Sequence, residues 1–219
     1  YEQCLNRCED ESGNFGVTIM ADYLPLISAK YYGDEIATSH QDRLAASIKY
    51  IERQADNFEK LSLIILSRNL AEQGISEFFA TTTGVYHVAR NTVNRIDNTA
   101  RPTHEQALEQ FDPAVAFKFA KRKARQREFI NDLTANLDFG RGCISYDELV
   151  ADPQSLVKIL VDLGFSRASG RTVESKQKKV VSKDISEMAA AKLAAYLGEN
   201  HWTWSSLEKR VTSSIMALE

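Results

Sequence analysis

The sequence predicts an α/β fold, a parallel sheet flanked by helices. Two short apolar runs, Phe15 to Met20 and Leu61 to Leu66, carry hydrophobic side chains on both faces, as strands buried inside a parallel sheet do. Helical stretches with caps and glycine stops separate these runs, and strands alternating with helices argue for parallel pairing. The chain has 219 residues and 43% hydrophobic content, enough for one domain with a full core. It reads as a single domain over 1–219, with a lid or insertion at 90–111.

The elements follow in order. Residues 1–10 read as the end of a polar helix, and Glu11 to Asn14 as a turn. After the Phe15–Met20 strand, Asp22 is placed to cap a helix that carries Tyr23, Leu24, Leu26 and Ile27. Pro25 is tolerated in its first turn and Gly33 closes it. Gln41 to Lys60 has Leu44, Ile48, Ile51 and Ala55 at helical spacing. The Leu61–Leu66 strand ends in Ser67-Arg68-Asn69, and a helix is expected over 70–83, stopped by Gly84. Residues 91–110 are polar and read as an irregular surface excursion.

Asp112-Pro113 starts a long helix that runs to about Leu137, with a basic stretch from Lys118 to Arg127. Gly140-Arg141-Gly142 reads as a turn and Cys143 to Tyr146 as a strand. Asp147-Glu148-Leu149 begins a helical turn, and Asp152-Pro153 caps a helix closed by Gly164. Residues 166–182 read as a basic loop. Asp184 is placed to cap an Ala-rich helix ending at Gly198, and a last helix follows Trp202 and Trp204.

Charge and cysteine content narrow the function. A formal net charge of −3 announces neither nucleic acid nor a membrane surface, so any anionic ligand must be held by local groups. No apolar run approaches the roughly 18 residues a membrane span needs. The three cysteines, Cys4, Cys8 and Cys143, are too few and too odd in number for a disulfide framework, which points to a reducing, cytoplasmic setting. Cys4 and Cys8 read as small packing residues, and no His or Cys partners stand at zinc spacing. No signal-peptide pattern is visible at Tyr1, and a segment upstream of it is expected because the chain does not start with Met.

The segment Leu61 to Val88 carries the chemistry. Arg68 falls just past the carboxyl end of a buried strand, where ligands bind in open parallel sheets. Its planar fork of donors suits phosphate. The following helix points its positive end to the same edge, and Ser76 lies two turns along it. The plainer alternative pairs Arg68 with a surface carboxylate and makes Ser76 a packing residue.

This segment resembles the strand and helix with which sulfotransferases bind a 3′-phosphate. Its spelling, R-N-x-x-x-Q-x-I-S-x-x-x-A-x-x-T-G-x-Y-H, is similar to the branch containing trehalose 2-sulfotransferases and nodulation-factor sulfotransferases. The matching residues are Arg68, Asn69, Gln73, Ser76, Ala80, Thr83, Gly84, Tyr86 and His87. A second segment, Ile144 to Pro153 followed by Leu160 to Phe165, resembles the family's "Y-E-D-L" turn and "L-G" helix end, with the middle letters exchanged as Asp147-Glu148. Gly13 to Val17 is similar to a "G-x-F-G-x-K" strand start, with Thr18 where the family usually has Lys.

The resemblance implies a P-loop-like sulfotransferase fold, incomplete at the amino end. It implies transfer of a sulfuryl group from 3′-phosphoadenosine 5′-phosphosulfate (PAPS) to a hydroxyl of a carbohydrate or glycolipid, without a metal. Arg68 and Ser76 would hold the 3′-phosphate. Lys176 and Gln177, in the basic loop from Arg171 to Lys179, would close over the nucleotide, or that loop is simply solvated. Tyr86 and His87 would line the acceptor pocket, although a lone His is more often structural. The expected partners are the nucleotide donor and the sugar acceptor, with a homodimer left open and no nucleic acid. The family's Gly-, Ser-, Thr- and basic-rich loop for the 5′-phosphosulfate has no counterpart in these 219 residues, and no general base can be assigned. The rival reading is a nucleotide-binding or interaction module that does not catalyse; a more distant one is a P-loop kinase relative.

Overall fold

The computed structural model describes residues 19, 21–85, 88–89, 101–165, 177–178 and 181–201. The expected Phe15–Met20 strand, save Ile19, lies outside them, as do Cys4, Cys8, Trp202 and Trp204. The fold is mixed α/β, mostly helical, with a two-stranded parallel sheet packed among helices. The chain divides into two compact units, one within residues 1–67 and 129–174, the other within 68–128 and 175–219.

In the first unit a 3₁₀ turn, Ala21–Tyr23, leads into α1, Leu24–Tyr32. The residue at the cap is Tyr23, with no side-chain capping bond, so Asp22 does not cap as expected; the 3₁₀ turn supplies the entry instead. Gly33, at φ 73°, closes α1 in the left-handed region that a residue with a Cβ avoids. Helix α2, His40–Ala55, starts at Ser39, whose side chain accepts from the Asp42 N–H, and ends five residues before the expected Lys60. Small buried serines let α1 and α2 approach, and the Ser28 hydroxyl donates to the Ala46 carbonyl at 2.8 Å.

Strand β1, Ser62–Ser67, pairs in parallel with β3, Gly140–Ser145, in the register Ser62 to Gly140 through Ser67 to Ser145. The turn expected at Gly140-Arg141-Gly142 is therefore strand. Both glycines are there for packing. A Cβ on Gly142 would sit 2.2 Å from Ile159 Cγ2, and one on Gly140 would sit 3.2 Å from Leu163 Cδ2. These contacts seat α7, Gln154–Asp162, and the residue after it directly on β3. Between β3 and α7 lies the short α6, Tyr146–Ala151, capped by the Ser145 hydroxyl.

The parallel register puts Ile64 and Leu66 on the same face as Gly142 and Ile144. Helix α7 covers β3 on that face, so Ile144 is 2% exposed, while Ile64 is 37% and Leu66 52% exposed. β1 is therefore not buried on this face as expected; among the described residues α7 covers β3 there and leaves Ile64 and Leu66 exposed. On the other face Leu63 packs with Leu24, Ile51, Phe129, Leu133 and Leu137.

In the second unit α3 runs Leu70–Thr83 and stops at Gly84, φ 71°, as expected. The excursion at 91–110 contains a helix that was not expected, α4, His104–Glu109. Thr103 and Gln106 form a reciprocal capping box that starts it. The Glu105 carboxyl is held below its usual range by its own backbone N–H and the Thr103 hydroxyl. Ala107 is fully buried, which anchors this helix to the core. Helix α5, Pro113–Ala135, begins as expected, with Asp112 Oδ1 accepting from Ala114 N at 2.8 Å. Its residues up to Glu128 belong to the second unit and those from Phe129 to the first.

Helix α8, Lys183–Glu199, is capped by the Ser182 side chain, not by Asp184, and passes through Gly198 instead of ending there. The core of this unit is built from Phe78 and Phe79 of α3, Phe111 before α5 and Phe117 of α5, with Ile185, Leu193 and Leu197 of α8. A two-residue antiparallel pair, β2 (Val88–Ala89) with β4 (Gln177–Lys178), completes the described structure.

Candidate functional site

Arg68 follows Ser67, the last residue of β1, in the chain, and Asn69 caps α3. The Asn69 Oδ1 accepts from Ala71 N at 2.8 Å and from Glu72 N at 3.2 Å, and its carbonyl accepts from Gln73 N at 3.0 Å. Three backbone donors at the helix start, those of Ala71, Glu72 and Gln73, are thereby used internally.

Arg68, Glu72 and Ser76 share one stripe of α3 and its lead-in, at i, i+4 and i+8. This stripe borders the buried one of Leu70, Gly74, Ile75, Phe78 and Phe79. The Arg68 side chain is 23% exposed, and its Nε lies 3.8 Å from Glu72 Oε2. That separation makes a loose ion pair, not a hydrogen bond. Ser76 is half-buried. Glu72 therefore stands between the two residues expected to hold a phosphate.

Helix α5 crosses α3 closely because Gly74 permits it. A Cβ there would sit 2.5 Å from the Ala116 carbonyl oxygen and 3.0 Å from Ala120 Cβ. The approach brings cations of α5 onto α3. Arg122 pairs with Glu77, and Lys123 Nζ lies 3.6 Å from the same carboxylate. Arg127 Nη2 donates to the Arg68 carbonyl. The basic stretch is thus partly paired and partly solvated. Lys118, Lys121 and Arg125 are exposed, and Lys121 Nζ lies 4.8 Å from the Phe117 ring centroid.

Of the other expected residues, Tyr86, His87 and Lys176 lie outside the described residues. Gln177 pairs through its backbone with Ala89, which joins the basic loop to the segment that follows α3. Three residues take roles not assigned to them from the sequence. Glu72 was legible as the i+4 partner of Arg68. Asn69 was legible as a helix cap, the commonest role for Asn at that place. Arg127 carries no local signal, because its contact depends on how two helices cross. No group of three or more metal-ligating side chains occurs among the described residues, and none of their helices is long and apolar enough to cross a membrane.

No family model, no curated protein and no solved structure matches this chain.

Proposed function

We propose that the chain is a sulfotransferase-type protein that binds PAPS and transfers its sulfuryl group to a hydroxyl of a carbohydrate or glycolipid. The observation that carries this reading is the placement of Arg68 directly after β1, with Ser76 on the same stripe two turns along α3. A guanidinium and a hydroxyl so placed suit a ribose 3′-phosphate, the group that distinguishes PAPS from ATP.

In the reaction the acceptor oxygen bonds to sulfur as the bond from sulfur to the 5′-phosphate oxygen breaks. The acceptor proton leaves, and the products are a sulfate ester and adenosine 3′,5′-bisphosphate. The chain's contribution is to position the donor and to stabilise charge. Arg68 and Ser76 anchor the ribose end, away from the reacting sulfur. Lys176 and Gln177 are proposed to close over the nucleotide, and Tyr86 and His87 to face the acceptor.

One feature of the sequence favours a second reading. No phosphosulfate loop occurs in these 219 residues, which suits a module that binds the nucleotide without transferring sulfate. Two assays separate the readings. Arg68→Ala should weaken adenosine 3′,5′-bisphosphate by about 1.5–3 kcal/mol in calorimetry, the range for a charge-assisted contact. Labelled PAPS with a panel of sugar acceptors then tests transfer. Binding without transfer selects the module, and Arg68→Ala binding like the wild type removes both readings.

A further inference from the structure

We infer that an exposed row of cations on α5 is the docking track for an acidic polysaccharide, a linear glycan that bears sulfate or carboxylate groups. Only the choice of a glycan rests on the reading above. Lys118, Lys121 and Arg125 stand at i, i+3 and i+7 on one face of the helix, and all three are exposed. Arg122, at i+4, joins that face, with its side chain 54% exposed although Glu77 pairs with it. At 1.5 Å per residue the row is about 10 Å long. Among the described residues no carboxylate forms an ion pair with Lys118, Lys121 or Arg125. The whole chain carries a formal charge of −3, so a polyanion is drawn to this line and not to the surface at large.

The surroundings of the row select the partner. Single-stranded nucleic acid binds through bases stacked on open aromatic faces. The rings here are already taken: Lys121 Nζ lies 4.8 Å from the centroid of the buried Phe117, and Arg122 Cζ lies 5.5 Å from that of Phe119. A helix that lies on a membrane exposes large apolar residues beside its cations. In this stretch of α5, Ala116, Phe117, Ala120 and Ala124 are all buried, and Phe119 is half-buried. A narrow line of charge without rings or apolar wedges suits a linear polyanion that has no bases. The ring contacts also hold two of the cations in place, which lowers the entropy lost when a ligand lies along them.

The probe is dextran sulfate titrated into the full chain, with neutral dextran of the same length as its control. Lys118→Gln, Lys121→Gln and Arg125→Gln are combined in one variant. It should raise the Kd for dextran sulfate about tenfold or more, and lower the slope of log Kd against log salt by about one for each cation removed. A second variant, Lys30→Gln with Lys158→Gln and Lys183→Gln, removes as much charge from exposed positions on other helices and should bind like the wild type. All these side chains face solvent, so both variants should melt within a few degrees of the wild type.

Equal losses in the two variants, or equal binding of dextran and dextran sulfate, overturn the assignment. So does tighter binding of a single-stranded oligonucleotide or of phosphatidylserine vesicles, which would give the row to that partner. Adenosine 3′,5′-bisphosphate should bind the α5 variant as it binds the wild type. If that nucleotide binds neither protein while the loss of dextran sulfate binding remains specific to α5, the nucleotide reading falls and the docking track stands.

Discussion

The two units bury their apolar side chains in different ways. The second encloses a cluster of aromatic rings between helices, and Phe79 and Leu193 are 0% and 1% exposed. The Phe78 and Phe111 rings meet edge to face, with centroids 4.8 Å apart. The first relies on a two-stranded parallel sheet covered unevenly, so Ile144 is buried while its register partner Leu66 is 52% exposed. Parallel strands are stable where both faces are covered. A helical cluster closes on itself with local pieces, whereas a sheet is only as buried as the layers laid on it.

Substitutions can break or sharpen that contrast, and hydrogen exchange read peptide by peptide assigns each effect to its own unit. The largest effect is expected at Phe79→Ala, which should cost about 3–5 kcal/mol and speed exchange in the second unit. Ile144→Ala should cost about 2–4 kcal/mol, felt in the first unit. Gly142→Ala should cost about 1–3 kcal/mol, because the new methyl meets Ile159 and α7 must shift. The smallest effect belongs to Leu66→Thr, within about 0.5 kcal/mol of the wild type, since its side chain already faces solvent. A Leu66→Thr loss as large as that of Ile144→Ala would show that something covers this face in solution.

Elements with local signals were legible in the sequence. Helix α3 begins and ends where Asn69 and Gly84 say it should, and α5 starts at Asp112-Pro113. The parallel pairing of β1 with β3 agrees with the α/β reading. What was missed depended on partners distant in the chain. Gly140 and Gly142 read as a turn because glycine usually breaks a strand; here the missing Cβ atoms make room for α7. Helix α4 was hidden in a polar stretch, although the Thr103–Gln106 capping box was there to be read. Ser182 outcompeted Asp184 as a cap, a choice between neighbours that spacing alone does not decide.

The candidate site divides the same way. The stripe of Arg68, Glu72 and Ser76 is a matter of helical spacing and was visible, and Glu72 is the surface carboxylate that the plainer alternative pairs with Arg68. Arg127 reaches the Arg68 carbonyl only because Gly74 lets α5 lie against α3, and no pattern within either helix announces that crossing.

The most direct test of the account titrates the full chain with adenosine 3′,5′-bisphosphate and, in parallel, with adenosine 5′-monophosphate. The two differ only in the ribose 3′-phosphate that Arg68 is proposed to hold. The account predicts that the bisphosphate binds tighter by about tenfold or more, a difference that shrinks as salt is added. Equal affinities, or no binding of either nucleotide, would contradict it.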